Sequence, residues 1–185
     1  MQGLLDDMLD FSRTKLGLGI RVAPAPVEVA ALVADELDQL RAAHGTQRIE
    51  FGVTGDTRAV CDGRRIQQAL GNLVANAIKY GQPTAAVQVA LTGGDSEISI
   101  EVRNRGPAIP PSTLRRIFEP LERGAGSQSR AGSQDGLGLG LFITREIARA
   151  HGGEVDARSD ASETVFVVRL PRRGPDIQME SANAR

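Results

Sequence analysis

Residues 62–80 read Asp62-Gly63-Arg64-Arg65-Ile66-Gln67-Gln68-Ala69-Leu70-Gly71-Asn72-Leu73-Val74-Ala75-Asn76-Ala77-Ile78-Lys79-Tyr80. Ile66, Leu70, Leu73, Val74 and Ala77 recur at helical spacing and share one stripe. Asp62 stands where an N-cap belongs, and Gly81 and Pro83 stop the pattern after Tyr80. Asn72, Asn76 and Lys79 lie on a second stripe, with Tyr80 beside them, which periodicity alone reads as a solvated face. Asn is a poor helix former, so two of them one turn apart forgo a few tenths of a kcal/mol each against Glu, Lys or Gln. Their amide oxygens are neutral ligands for a hard cation such as Mg²⁺, which leaves the charge of the cation free to neutralise phosphates. Lys79 adds a positive charge on the same side.

Downstream of this helix Val87, Val89 and Leu91 alternate, Gly93-Gly94-Asp95 turns, and Ile98, Ile100 and Val102 alternate again, which predicts a hairpin. Steps of two carry the inward side on to Asn104, so a polar amide points where its apolar neighbours point and needs a partner. A turn residue bonding its own loop is the other reading of Asn104. Beyond it, residues 105–136 show little periodicity apart from a short helical turn near Ser112 to Phe118. A polar, glycine-rich stretch, 123–140, feeds a helix predicted over Leu137 to Ala150. The first amides of such a helix have no internal partner, which is the geometry of a phosphate cradle under a mobile lid, although a surface loop has the same composition. His151-Gly152-Gly153 ends the helix, placing His151 where the helix dipole favours a cation. Glu154 to Ala157 and Thr164 to Leu170 predict a last strand pair.

Upstream, Pro24 and Pro26 mark a linker, Val27 to Val29 a short strand, and Ala30 to Ala43 a helix with His44 exposed at its end. Ile49, Phe51 and Val53 alternate and precede Ala59-Val60-Cys61 across a Gly-Asp turn, which predicts a second strand pair. Leu4, Leu5, Met8, Leu9, Ser12 and Leu16 recur at helical spacing with Asp6, Asp7 and Asp10 between them. So short a helix is marginal alone, and its apolar stripe is expected to pack on this domain or on another chain. The whole reads as α+β: a two-layer α/β sandwich, one mixed sheet covered on one face by three helices, plus the N-terminal helix. No βαβ unit repeats, which disfavours a Rossmann domain.

The 185 residues are 41% apolar, enough for a sizeable core. A net charge of −1 gives no uniform field to attract nucleic acid or anionic lipid. Cys61 is the one cysteine, which excludes an internal disulfide and fits a reducing cytoplasm. No stretch approaches ~18 consecutive apolar residues, and Met1 to Asp10 carries acidic residues where a signal peptide carries basic ones. The expectation is a cytoplasmic segment without membrane contact of its own.

Taken in order, these segments resemble the catalytic and ATP-binding domain of bacterial sensor histidine kinases, within the GHKL ATPase superfamily. Gln68 to Tyr80 resembles the N box of that family, Asn104 to Pro110 its first glycine box, Ile117-Phe118-Glu119-Pro120 its F box, and Gly136-Leu137-Gly138-Leu139-Gly140-Leu141 its second glycine box. Leu5 to Arg13 is similar to the end of the second helix of the dimerisation and phosphoacceptor domain. The resemblance implies three segments: 1–19 the C-terminal part of a dimerisation helix, 20–171 the catalytic ATP-binding domain, and 172–185 a flexible tail.

It also implies roles. Asn76, assisted by Asn72, would hold Mg²⁺ against the triphosphate of ATP, Lys79 and Arg123 would face the phosphates, and Tyr80 would lie beside the adenine. Asn104, Gly106, Ala108, Ile109 and Phe118 would line the nucleotide, and Gly136, Leu137, Gly138 and Gly140 would supply lid amides. The implied reaction is transfer of the γ-phosphoryl of ATP to a His outside this chain, for relay to an Asp of a response-regulator receiver domain. The implied partners are that receiver, the chain's own phosphoacceptor domain and, in the parent protein, a second copy in a homodimer. Two positions depart from the pattern: Asn104 stands where the family has Asp, and Ala108 where it has glycine. They motivate the alternative of a degenerate nucleotide-binding or interaction module that regulates a partner kinase.

Overall fold

The computed structural model describes residues 2–45, 48–120 and 138–173, with the side chains of residues 2–4 outside that description. In chain order the elements are α1 (Gln2–Lys15), β1 (Ala25–Glu28), α2 (Val29–Ala43), β2 (Ile49–Gly55), β3 (Arg58–Cys61), α3 (Gly63–Tyr80), β4 (Val87–Gly93), β5 (Glu97–Arg105), α4 (Pro111–Leu114), α5 (Gly140–Ala150), β6 (Glu154–Ser159) and β7 (Glu163–Pro171). Five strands form one mixed sheet in the order β2-β4-β5-β7-β6, and β1 pairs with β3 in a separate two-stranded ribbon.

The alternation of β5 decides which side of the sheet is dry. Ile98, Ile100, Val102 and Asn104 are buried while the residues between them are not. Onto that side fold the stripes of α3 (Ile66, Leu70, Leu73, Val74, Ala77) and α5 (Phe142, Ile143, Ile147), with α2 adding Val33 and Leu37. Leu73 and Leu37 are fully enclosed, a burial that stabilises the fold by about 1.5–3 kcal/mol per side chain. The opposite side of the sheet carries paired charges, within a strand for Arg103 with Glu101 and across strands for Arg103 with Glu163 and Arg169 with Asp156. Among the described residues no helix is long and apolar enough to cross a membrane.

Four sequence expectations need correcting. First, β2 and β3 do not pair: β2 runs parallel to β4, and β3 turns away to lie antiparallel to β1. At the end of the β2–β4 ladder Gly55 sits opposite Gly93, and a Cβ on Gly93 would meet Asp56 O at 1.9 Å. Glycine at both positions lets the backbones approach this closely. Second, α5 begins at Gly140, not Leu137, because Gly138 adopts φ 72° just before the Leu139 N-cap; Leu137 lies outside the described residues. Third, His151 is not a dipole-favoured cation but a buried strut. Its Nε2 accepts Asp62 N–H (3.0 Å), which places the ring hydrogen on Nδ1, donating to Ile147 O (2.8 Å). Asp62 itself caps α3 by accepting Arg65 N–H and also accepts Ala23 N–H, so this strut ties α5, α3 and the linker together.

Fourth, Arg172, the first residue of the expected tail, is anchored. Its N–H donates to Ser96 O, its carbonyl accepts Val60 N–H, and its guanidinium pairs with Asp56 at 2.9 Å.

The N-terminal helix docks by its polar side. Asp10 is 5% exposed and forms a two-pronged ion pair with Arg65, while Gln68 donates to Asp7 at 3.0 Å. Phe11 meets Phe142 edge-on at 5.7 Å. Leu5, Met8, Leu9 and Leu16 of the predicted stripe remain 49–73% exposed. A helix whose acidic side answers an arginine of α3 has no apolar stripe left to offer the same surface.

Candidate nucleotide-binding site

Three segments converge beside the C-terminal half of α3. Asn72 Nδ2 donates to Gly140 O (3.1 Å), an oxygen that also accepts the Thr144 hydroxyl (2.9 Å). A Cβ on Gly140 would lie 3.3 Å from the Asn72 amide, so glycine lets α5 start directly against α3. The N-cap of α5 is Leu139, which offers no side-chain acceptor, so the first amides of this 11-residue helix have no side-chain cap. Asn76, one turn further along α3, is half-buried and makes no side-chain hydrogen bond among the described residues. The Lys79 ammonium lies 5.3 Å from the ring centroid of Tyr80, itself 44% exposed.

The end of β5 closes on the end of α3. Gln82 N–H donates to Arg105 O (2.7 Å), and a Cβ on Gly106 would stand 2.8 Å from Tyr80 O. Only glycine allows this approach. Asn104 is 5% exposed at the next inward position of β5, as its alternation predicted, and its amide nitrogen reaches the neighbouring Arg105 O at 3.4 Å. That bond is long, so both the donor and the acceptor of Asn104 keep capacity for another group. Ala108 is exposed and Ile109 half-buried in the loop that follows, and Phe118 stands edge-on to buried Phe166 at 6.3 Å. Arg123, Gly136 and Leu137 lie outside the described residues.

Sequence reasoning missed Ser159 and Thr164. Ser159 Oγ accepts Ile109 N–H (2.9 Å) and shares a hydrogen bond with Thr164 Oγ1 (2.8 Å), and Thr164 stands opposite Asn104 in the β5–β7 ladder. The predicted strand ended at Ala157, which left Ser159 in a turn; two hydroxyl residues flanking that turn were the available signal.

Among the described residues no group of three or more His, Cys, Asp or Glu could hold a metal. A cation here would rest on amide oxygens and on its ligand. Cys61 is buried, and burial pushes its thiol up to about 11, so it behaves as a small apolar side chain.

The family model of histidine kinase-, DNA gyrase B- and HSP90-like ATPases matches residues 61–174. Among curated proteins, a bacteriophytochrome of Pseudomonas aeruginosa is 34% identical over 94% of this chain and 24% of its own length. The signal transduction histidine-protein kinase AfsQ2 of Streptomyces coelicolor is 31% identical over 93% of this chain and 31% of its own length. The chain thus spans a quarter to a third of these relatives. Among solved structures, the mycobacterial sensor histidine kinase MprB superposes with TM-score 0.70 at 27% identity, covering 82% of this chain and all of the other. Full-length ShkA in complex with AMPPNP superposes with TM-score 0.75 at 27% identity, over 93% of this chain and 36% of the other. With the fold, the glycine contacts and these matches in agreement, the chain belongs to the histidine kinase-, DNA gyrase B- and HSP90-like ATPase family, as a catalytic ATP-binding domain of the sensor histidine kinase kind.

Proposed function

We propose that this chain binds Mg·ATP between α3, the loop 106–110 and the start of α5, and delivers the γ-phosphoryl to a histidine outside it. The observation that carries the reading is the convergence of Asn72 with Gly140 and of Gly106 with the end of α3, a cradle that any added Cβ would fill. Asn76 and Asn72 would hold Mg²⁺ through neutral oxygens, Lys79 and Arg123 would face the phosphates, and Gly136, Leu137, Gly138 and Gly140 would supply backbone donors. Tyr80, Asn104, Gly106, Ala108, Ile109 and Phe118 would surround the base. Mg²⁺, when bound, neutralises phosphate charge; the residues of this chain orient the triphosphate and exclude water, and positioning plus charge neutralisation is most of what phosphoryl transfer asks of a protein.

The acceptor belongs elsewhere because His151 has both ring nitrogens engaged in the core, and because His44 and His151 are each followed by glycine where the phosphoacceptor His of the family is followed by an acidic residue. We assign residues 1–19 to the end of a dimerisation helix and 20–171 to the catalytic domain. The outward leucines of α1 are then the face that packs on a second copy in the parent homodimer. The phosphoryl group would pass from the histidine to an Asp of a response-regulator receiver. Incubated with labelled ATP, the isolated chain is expected to leave itself unlabelled and to label a supplied helical-hairpin domain from its own parent on histidine, in an acid-labile bond. Acid-stable self-labelling would contradict this and indicate Ser or Thr phosphorylation.

Asn104 sets a second expectation. A neutral amide oxygen accepts more weakly than a carboxylate, whose charge-assisted bond is roughly twice as strong, and the amide NH₂ can meet the 6-oxo group of guanine. Asn104→Asp is therefore expected to tighten ATP binding by about 1 kcal/mol, roughly fivefold, and to raise the preference for ATP over GTP. Dissociation constants for both nucleotides at fixed Mg²⁺ check this; an unchanged ratio would remove Asn104 from the purine edge.

A further inference from the structure

The loop 106–110, Gly-Pro-Ala-Ile-Pro, has few means of holding itself in place. Pro107 and Pro110 carry no N–H, and the loop has left the ladder that orders β5. Its first residue is pinned by the close approach of Gly106 to Tyr80 O. Its far end is pinned by a side chain, since Ile109 N–H donates to Ser159 Oγ at 2.9 Å. Ser159 is in turn bonded at 2.8 Å to the Thr164 hydroxyl, which is 4% exposed and stands across the ladder from Asn104.

The hairpin that carries Ser159 and Thr164 is itself braced. Asp160 Oδ1 accepts Ser162 N–H (2.7 Å), the Ser162 hydroxyl (2.6 Å) and Glu163 N–H (3.1 Å), and Asp160 N–H donates to Glu163 O (3.0 Å). These bonds, that from the Ser162 hydroxyl foremost, hold the Asp160 carboxyl below its usual range, so the brace stays ionised at neutral pH. One rigid turn therefore presents two hydroxyls, one to the loop and one to the strand that bears Asn104.

We infer that Ser159 is a positioning residue for the base end of the nucleotide site, fixing through Ile109 and Thr164 the distance between loop 106–110 and Asn104. The inference rests on the nucleotide-site reading above and adds to it a residue at the end of β6, outside the proposed lining of the base. Removing the Ser159 oxygen frees Ile109 N–H and leaves Thr164 without its partner, so the loop can drift from Asn104 while the core below remains as it was.

The test compares ATP with purine riboside triphosphate, which lacks the 6-amino group but keeps the same ring and phosphates. For Ser159→Ala the dissociation constant for ATP is expected to rise about three- to tenfold, the loss of one net hydrogen bond, while that for the analogue stays as in the parent. Ser159→Thr, which keeps the hydroxyl, is expected to restore the parent ratio, and both variants are expected to melt within a few degrees of it because the site is half-buried and loses at most one oxygen. A loss shared equally by ATP and the analogue, or no loss at all, would overturn the positioning role while leaving the nucleotide site standing. A parent protein that binds neither compound would overturn the nucleotide site itself, and the inference with it.

Discussion

Asn76→Ala is expected to weaken Mg²⁺-dependent nucleotide binding by about 100-fold or more without unfolding the chain. Substitutions one shell out from a metal already cost ~10–100-fold in affinity, and the oxygen removed here is a proposed ligand. The side chain is half-buried and makes no hydrogen bond among the described residues, so its loss opens no core volume and orphans no partner. Ala is also the better helix former, and α3 gains a few tenths of a kcal/mol. Calorimetric titration at saturating and zero Mg²⁺, beside a thermal melt, separates the two effects. Asn72→Ala differs in kind, since it frees Gly140 O and loosens the start of α5 along with any bound cation. If Asn76→Ala binds Mg·ATP like the parent, the cation rests on other groups.

Phe166→Ala is expected to cost about 3–5 kcal/mol of stability, the usual range for emptying a buried aromatic site. Phe166 is the bulkiest of the fully enclosed side chains, in the middle of β7 and on the dry face of the sheet. Against a typical total of ~5–15 kcal/mol, such a loss removes a large share of the stability. It also removes the ring on which Phe118 stands at 6.3 Å, so the F-box segment loses its seat before the domain unfolds. A denaturation midpoint lowered with unchanged slope is the expected record; a midpoint equal to that of the parent would mean that the site collapses around the smaller side chain.

Periodicity made α3, the β4–β5 hairpin and the β6–β7 pair legible, because each buries one face and repeats at the spacing that burial demands. The inward placement of Asn104 followed from the same count. What periodicity could not reach was pairing between distant elements. The β2–β4 ladder is set by a crossover through β3 and α3 and by two glycines that meet at its end, none of which leaves a mark within β2 itself. The outward leucines of α1 read correctly as a stripe, but the partner of its acidic side, Arg65, lies 55 residues further along the chain. His151 read as a helix end, and only the fold shows that Asp62 N–H comes to its ring.

The candidate site was legible in part for a chemical reason. Asparagines inside a helix and glycines before one are locally unfavourable, and such choices stand out from the pattern around them. Ser159 did not stand out, since a serine next to a turn has an ordinary local explanation and its partner Ile109 is 50 residues away.

Everything proposed for this chain requires that it hold a nucleotide through its magnesium complex. Isothermal titration of the full chain with the non-hydrolysable analogue AMPPNP, once with Mg²⁺ in excess and once with EDTA, measures that directly. One equivalent bound with Mg²⁺, and affinity at least tenfold weaker with EDTA, is the predicted result. Absence of binding under both conditions would contradict it and leave the degenerate interaction module, suggested by Asn104 and Ala108, as the description of the chain.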